Sequence, residues 1–171
     1  MNNKPHPHKN CHYCGTEYAS KDYPFTCPNP KCGKKVWLNL LPVIVVAVPV
    51  IRLLEDDAPK FVGVLGVRRA IHPIGELCLP GGYMEKHQTW EEAAIAEVVQ
   101  ETGVNIKSLT FRGMETVDGF IVIFCASEGI VESTIDFSFT SDETQEVIVI
   151  EAPTKLAFNV QTEYLKQVFN V

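Results

Sequence analysis

The chain has 171 residues, of which 46% are hydrophobic, and a formal net charge of −6. This length allows one buried core and a small appendage, and the acidic balance argues against a nucleic-acid-binding surface as the main role. The apolar run 40–54 contains two prolines and an arginine and is too short for a membrane helix. Because the first ten residues also lack the apolar segment of a signal peptide, we expect a cytoplasmic protein with no membrane partner.

Four of the six cysteines form two pairs near the start of the chain: Cys11, Cys14, Cys27 and Cys32. Disulfides are rare in the cytoplasm, so two such pairs indicate a metal site. The spacing is typical of a zinc ribbon, in which four thiolates surround one tetrahedral Zn²⁺ and leave no position for a substrate. A glycine follows the second cysteine of each pair and relieves a tight turn there. The sequence therefore predicts a structural zinc ion.

Other residues near this site are weaker ligand candidates. The nearby histidines, His6, His8 and His12, rank below the cysteines because the four-sulfur set is already complete. Cys78 and Cys125 stand alone in apolar segments, and we interpret them as small core residues.

The rest of the chain predicts a mixed α/β domain. Apolar patterning and turn signals indicate six strands, at residues 43–54, 61–68, 76–79, 110–116, 120–126 and 146–151. Pro49 should lie at an edge or a bulge, because proline cannot donate to the strand ladder. We place the domains at 1–37 for the ribbon and 38–171 for the α/β domain.

Two helices are expected. Thr89 and Glu92 form a capping box and Gly103 suits a left-handed C-cap, which predicts a helix from Trp90 to Thr102. A second amphipathic helix is predicted at 161–169. On the first helix, the side chains of Glu97, Gln100 and Glu101 share one face, an arrangement suited to Mg²⁺. The alternative interpretation, a solvated acidic face, is weakened by the Pro-Gly-Gly turn before the helix.

The stretch 82–104 resembles the Nudix box, G-x5-E-x7-R-E-U-x-E-E-x-G-U, where U is aliphatic. The matching residues are Gly82, Glu97, Val98, Glu101, Gly103 and Val104. At three positions Gln88, Ala96 and Gln100 stand where the family has Glu, Arg and Glu. A zinc ribbon running directly into such a domain is similar to bacterial NADH pyrophosphatases and to shorter ribbon-bearing Nudix hydrolases. This resemblance implies an α/β/α sandwich with a mixed sheet.

The resemblance also implies an activity. Nudix hydrolases cleave a nucleoside diphosphate linked to another moiety, here a substrate such as ADP-ribose, NADH or an FAD-like molecule, with Mg²⁺ or Mn²⁺. By position, Glu97 and Glu101 would be the catalytic metal ligands, together with the carbonyl of Gly82. A glutamate beyond the box often serves as base or further ligand, and Glu143 is the first candidate and Glu146 the second.

The altered box leaves two functional hypotheses open. In the first, the protein is a hydrolase that uses the two helix glutamates, with Glu85 partly replacing the missing carboxylate at Gln88. In the second, it is a Nudix-fold module that binds a nucleotide without cleaving it. Either form has a small-molecule nucleotide as its partner, and a homodimer is possible.

Overall fold

The structure, a computed structural model, describes residues 10–18, 23–55 and 58–170. Its helices and strands, in chain order, are β1 (Phe25–Thr26), β2 (Lys35–Val36), β3 (Leu41–Ala47), β4 (Pro49–Arg52), β5 (Lys60–Arg69), β6 (Leu77–Cys78), α1 (Trp90–Thr102), β7 (Leu109–Val117), β8 (Phe120–Ser127), β9 (Ile130–Val131), a short 3₁₀ turn (Glu132–Thr134), β10 (Thr144–Ile150) and α2 (Asn159–Val168). Within these residues, neither α-helix is long and apolar enough to cross a membrane.

The chain divides into two compact units, one up to residue 41 with 118–120 and one formed by 42–117 and 121–171. In the described part of the first unit, β1 and β2 pair antiparallel. Its small core contains Tyr18, Val36 and two of the paired cysteines, Cys11 and Cys27. So few apolar side chains cannot stabilise a fold of this size, which is why a structural metal is expected there. The domain boundary between residues 37 and 38 stays a prediction.

The second unit contains two sheets. Strand order is β10-β5-β4-β9 in the larger sheet, with β6 also pairing with β5, and β3-β8-β7 in the smaller one. The pairings of β5 with β4, β6 and β10 are antiparallel, whereas β4 and β9 run parallel. The mixed α/β fold predicted for this part of the chain is therefore confirmed.

The single strand predicted at 43–54 is two strands in the structure. The chain leaves the smaller sheet after β3 and enters the larger sheet with β4, which begins at Pro49. Proline has no N–H to donate, so the ladder of β3 cannot continue through it. A bulge between Val50 and Ile51 follows directly, as expected for a proline at the margin of a strand. Strand β9 has only two residues and was not predicted.

Helix α1 begins and ends where its capping residues predict. Both hydrogen bonds of the capping box between Thr89 and Glu92 are present, and Gly103 is left-handed, with φ 69°. The buried side of α1, formed by Ala93, Ala94 and Val98, joins a core cluster that includes residues of β3, β5 and β8. The small alanines allow the helix to lie close to the sheet, and this contact directs the glutamate face of α1 towards the glycine turn.

Helix α2 packs on the other side of β8. Tyr164 stacks against Phe124, with ring centroids 4.6 Å apart, while the next residue, Cys125, belongs to the cluster around α1. Successive strand residues point to opposite faces, so the two helices cover opposite faces of β8. This is the expected helix–sheet–helix layering. Cys78 and Cys125 are both buried, which confirms them as core residues.

Candidate active site

The glycine turn runs alongside β3 and is held there by backbone hydrogen bonds. Ile44 N–H donates to the carbonyl of Gly82 at 2.8 Å, and Val46 N–H donates to the carbonyl of Pro80 at 2.9 Å. A Cβ on Gly81 would collide with the backbone carbonyl of Ile44, and this close approach explains the first glycine of the pair. Since a carbonyl oxygen has two lone pairs, Gly82 keeps one acceptor site beyond its bond to Ile44.

Glu101 is the buried carboxylate of the site. Its side chain is only 3% exposed, and its Oε2 accepts a hydrogen bond from Gly81 N–H at 3.0 Å. Burial raises the pKa of Glu101 to about 8; the charges of Glu97 and Glu143 add to the rise, while the Gly81 N–H and Arg69 oppose it. A buried carboxylate that loses its proton with difficulty is stabilised as an anion by a nearby cation.

Glu97 lies one helical turn earlier, against the second glycine. If residue 82 carried a Cβ, that atom would be 2.5 Å from Oε1 of Glu97. Partial burial raises the pKa of Glu97 to about 7, and the charges of Glu143 and Glu85 contribute further. The missing side chain of Gly82 thus makes the space in which this carboxylate lies. The two helix glutamates and the two glycines form the centre of the candidate site.

Glu143 comes to this centre from a different part of the chain. A shallow cavity of about 190 Å³ is lined by Gln100, Glu101, Ser141, Asp142 and Glu143. The turn that carries Glu143 is fixed at the end of β5, where Ala70 N–H donates to the carbonyl of Glu143 at 2.8 Å. Ser141 and Asp142 directly precede Glu143 and also line the cavity, but sequence analysis did not predict them as site residues. The one sequence feature that could have indicated them is the polar segment Ser-Asp-Glu-Thr at the start of β10.

The two weaker acidic candidates have other contacts. Glu146 lies on β10, where it accepts a hydrogen bond from Nε of Arg68 at 2.8 Å and forms an exposed ion pair. Glu85 is exposed, and its backbone N–H donates to Oε1 of Gln88 at 2.7 Å. Gln88 therefore closes the loop before α1, although it lacks the charge of the box glutamate. Of the two glutamates beyond the box, Glu143 is the one at the cavity.

Arg69 is a buried cation close to this centre whose role was not recognised from the sequence. It is 8% exposed and donates to the carbonyl of His72 at 2.8 Å and to Sγ of Cys78 at 3.7 Å. Its guanidinium also lies over the ring of Phe158, 5.1 Å from the centroid. Arg69 counteracts the raised pKa of Glu101 and is the positive charge near a carboxylate cluster that lacks the box arginine, which is Ala96 here.

The donor set fits a hard divalent cation that is bound only in part by protein. Glu97 and Glu101 supply carboxylate oxygens beside a free lone pair of Gly82, and oxygen is the ligand type that Mg²⁺ prefers. Among the described residues, no three acidic side chains have oxygens within 4.8 Å of one another, since only the cysteine group meets that condition. Mg²⁺ commonly binds through one or two carboxylates with water and substrate phosphates as the other ligands, which agrees with this arrangement.

The four paired cysteines form a separate site. Their sulfur atoms all lie within 4.8 Å of one another, with Sγ–Sγ distances of 3.9 Å for Cys11 and Cys32 and 3.7 Å for Cys14 and Cys27. Four sulfurs at about 2.3 Å from a tetrahedral Zn²⁺ would be about 3.8 Å apart. All four are free thiols, so these distances suit a metal site. His12 is not part of this group, and His6 and His8 lie outside the described residues.

The glycines after each cysteine pair have the predicted conformation. Gly15 and Gly33 have φ values of 70° and 57°, which only glycine adopts without strain. Their N–H groups donate to the carbonyls of Cys11 and Asn29 at 2.7 and 3.2 Å. Each pair therefore closes a tight turn that brings its two sulfurs together.

Comparison with known proteins identifies a family and several relatives of this chain. The NUDIX domain matches residues 43–161. A curated relative, the NAD-capped RNA hydrolase NudC of Pasteurella multocida, is 27% identical over 110 residues, which cover 63% of this chain and 38% of that protein. The NudC of Escherichia coli O1:K1 / APEC is 30% identical over 106 residues, covering 61% of this chain and 37% of that protein. This chain thus aligns with little more than a third of the length of these relatives.

Solved structures share the fold. A NUDIX hydrolase from Nitrosomonas europaea superposes with a TM-score of 0.66 at 23% identity, covering 95% of this chain and 91% of that chain. The NUDIX domain of Shewanella oneidensis NrtR, crystallised with ADP ribose, superposes with a TM-score of 0.56 at 17% identity, covering 83% of this chain and 92% of that chain. At these identities the likeness concerns the fold alone.

Proposed function

Because this chain belongs to the NUDIX domain family, we propose that it hydrolyses the diphosphate bond of a nucleoside diphosphate linked to another moiety. The observation that carries the proposal is the meeting of Glu97 and Glu101 on the glycine turn, with Glu143 at the adjoining cavity. The relatives named above act on NAD-capped RNA or were crystallised with ADP ribose. Both molecules contain a nucleoside diphosphate, which supports this substrate class.

In the proposed reaction, Glu97 and Glu101 would hold the divalent ion, Mg²⁺ or Mn²⁺, together with the carbonyl of Gly82. When bound, this ion screens the charge of the diphosphate and makes water a better nucleophile. Gly81 N–H keeps the Glu101 carboxylate in place through its 3.0 Å hydrogen bond. Glu143 would accept a proton from the attacking water, and this exposed side chain lines the cavity, where water can reach it.

The cysteine group has a structural role in this proposal. A Zn²⁺ held by Cys11, Cys14, Cys27 and Cys32 has no free coordination position, so it links the two turns of the first unit and does not act on the substrate. The Sγ–Sγ distances of 3.7 and 3.9 Å support this assignment. In such small units, metal binding and folding are coupled.

A second candidate function is nucleotide binding without hydrolysis. The observation in its favour is that Gln100, a neutral side chain, lines the cavity where the box has a carboxylate. An amide oxygen can still contact Mg²⁺, but it lacks the charge that makes a carboxylate a strong ligand.

An activity screen separates the two functions. Purified protein is incubated with ADP-ribose, NADH, FAD and nucleoside triphosphates, each with Mg²⁺ or Mn²⁺, and the products are separated by chromatography. The hydrolase proposal expects metal-dependent release of a nucleoside monophosphate from at least one dinucleotide or ADP-ribose. If calorimetry detects binding of these compounds but none is cleaved with either metal, the binding-module function replaces it.

A further inference from the structure

The acidic net charge of this protein is unevenly distributed along the chain. Residues 1–41 contain six lysines and two acidic residues, so this segment has a formal charge of +4. Because the whole chain has a net charge of −6, the remaining residues have a formal charge of −10. The negative charge that argues against a nucleic-acid-binding surface therefore lies in the rest of the chain and not in the cysteine-rich segment.

Two of these lysines, Lys31 and Lys34, lie at one concave surface of the described part of the first unit. Lys31 and Lys34 line an open pocket of about 350 Å³ together with Tyr13, Cys14, Asn29 and Cys32, and Lys35 follows directly on β2. We call this surface, formed by Tyr13, Asn29, Lys31 and Lys34, the ribbon pocket.

Internal hydrogen bonds hold the floor of the ribbon pocket in one arrangement. Asn29 donates from Nδ2 to Oγ1 of Thr16 at 3.1 Å, which connects the second cysteine turn to the first. Its Oδ1 accepts a hydrogen bond from Lys31 N–H at 2.9 Å. A ligand that enters the pocket therefore meets a shape that is already formed, and this lowers the entropy lost on binding.

Tyr13 gives the pocket an aromatic face. Its side chain is 56% exposed, and its ring lies 4.0 Å from that of the neighbouring His12. A zinc ion with four thiolates carries a formal charge of −2, which would account for nearby lysines as counter-charges. It does not account for a tyrosine that leaves more than half of its surface in water.

We propose that the ribbon pocket binds single-stranded nucleic acid, with a base stacked on Tyr13 and backbone phosphates against Lys31 and Lys34. Aromatic side chains beside a basic groove are the usual means of binding single strands without sequence preference. The base supplies a flat apolar face for the ring, and the phosphates supply the negative charge that the two ammonium groups attract. Binding at the ribbon pocket is separate from the proposed hydrolysis and does not depend on it.

Fluorescence anisotropy with the full-length, zinc-loaded protein tests the proposal. The probe is a single-stranded RNA of about 12 nucleotides, long enough for one binding site, labelled at its 3′ end and with a 5′-hydroxyl, so that it contains no diphosphate to cleave. At about 150 mM salt we expect a Kd on the order of 1 to 100 μM, the usual range for non-specific binding at physiological salt. Absence of binding by the unmodified protein would overturn the proposal.

Two sets of variants examine the two contacts. Tyr13→Ala should weaken binding about 5- to 150-fold, the range for loss of one base stack, whereas Tyr13→Phe keeps the ring and should bind as the unmodified protein does. The double variant Lys31→Ala/Lys34→Ala should reduce the slope of log affinity against log salt by about 0.7 per lost phosphate contact. The matched control is Lys60→Ala/Lys155→Ala, which removes two exposed lysines of the larger unit and should leave the slope unchanged.

The remaining outcomes also decide the question. Zinc content and hydrolysis of free ADP-ribose are measured for each variant, and both should remain unchanged, since none of these residues is assigned to catalysis. Equal binding by Tyr13→Ala and unmodified protein would refute base stacking. Competition by an acidic polypeptide as strong as that by unlabelled RNA would assign the pocket to acidic proteins instead. If none of ADP-ribose, NADH and FAD is hydrolysed, the proposed catalytic function fails while the RNA titration still decides whether the ribbon pocket binds single strands.

Discussion

Replacing Gly82 with alanine tests whether the Glu97 carboxylate must lie against the glycine turn. The added Cβ would be 2.5 Å from Oε1 and 2.7 Å from Cδ of Glu97, whereas ordinary van der Waals contact begins at 3.4 Å. The carboxylate would therefore have to move by about 0.9 Å, the difference between these distances. Gly82 is not among the glycines with positive φ, so alanine causes no backbone strain there.

The expected effect is large on catalysis and small on stability. Misplacement of a reacting group by about 1 Å lowers the rate about 100-fold, which corresponds to about 2.7 kcal/mol. The clash involves only the end of a flexible side chain, so the free energy of unfolding should change by less than about 1 kcal/mol. We therefore expect kcat/KM to fall about 100-fold in Gly82→Ala, with a weaker affinity for Mn²⁺ and a nearly unchanged Tm.

Three measurements on the same preparations check this expectation: steady-state hydrolysis, calorimetric titration with Mn²⁺ and thermal unfolding. The matched control for a clash away from the site is Gly66→Ala in β5, where a Cβ would stand 2.5 Å from Cδ1 and 2.8 Å from Cγ1 of the buried Ile150. This control should keep its activity and its Mn²⁺ affinity. The reasoning is refuted if Gly82→Ala retains both, or if Gly66→Ala loses as much activity as Gly82→Ala does.

Three further predictions concern the other ligand positions. Glu101→Gln should lower turnover about 100-fold or more while the fold persists. The pKa of Glu101 is raised from 4.5 to about 8 in the folded protein, so the magnesium-free folded state binds more protons than the unfolded state and loses stability as pH rises through that window. Thermal unfolding measured from about pH 5 to pH 8 should show less of this loss in the variant. Cys27→Ser should lower the zinc content measured by elemental analysis and unfold the first unit, whereas Cys125→Ser should retain zinc; disulfides among the four ribbon cysteines would contradict the zinc assignment. Gln100→Glu should raise the affinity for metal and the rate of hydrolysis, most strongly at low Mg²⁺, and adding Gln88→Glu should raise both further. If these variants fold and bind metal yet cleave no diphosphate, that result would count against the hydrolase proposal.

The features that local sequence determined are those with local causes. Helix α1 begins and ends at the predicted residues because local hydrogen bonds fix both ends. Thr89 and Glu92 accept hydrogen bonds from backbone N–H groups at its start, and left-handed Gly103 ends it. The two cysteine turns follow from the same kind of short-range signal, a cysteine pair closed by a left-handed glycine. The break before Pro49 was also present in the sequence, as a missing N–H donor, but the exchange of sheets at that point depends on which strands are available as neighbours.

Only the tertiary structure decided how the site is assembled. Sequence analysis ranks Glu143 above Glu146, three residues later in one acidic segment, but the local sequence does not show what either side chain contacts. Pairing between β10 and β5 places the first at the cavity and the second in an ion pair with Arg68. The burial of Glu101 and the proximity of Arg69 to it arise in the same way, from strands and a helix that are distant in sequence. Hydrogen bonds and caps act over a few residues, so the sequence alone determines them, whereas the burial and charge environment of a side chain depend on packing across the whole domain.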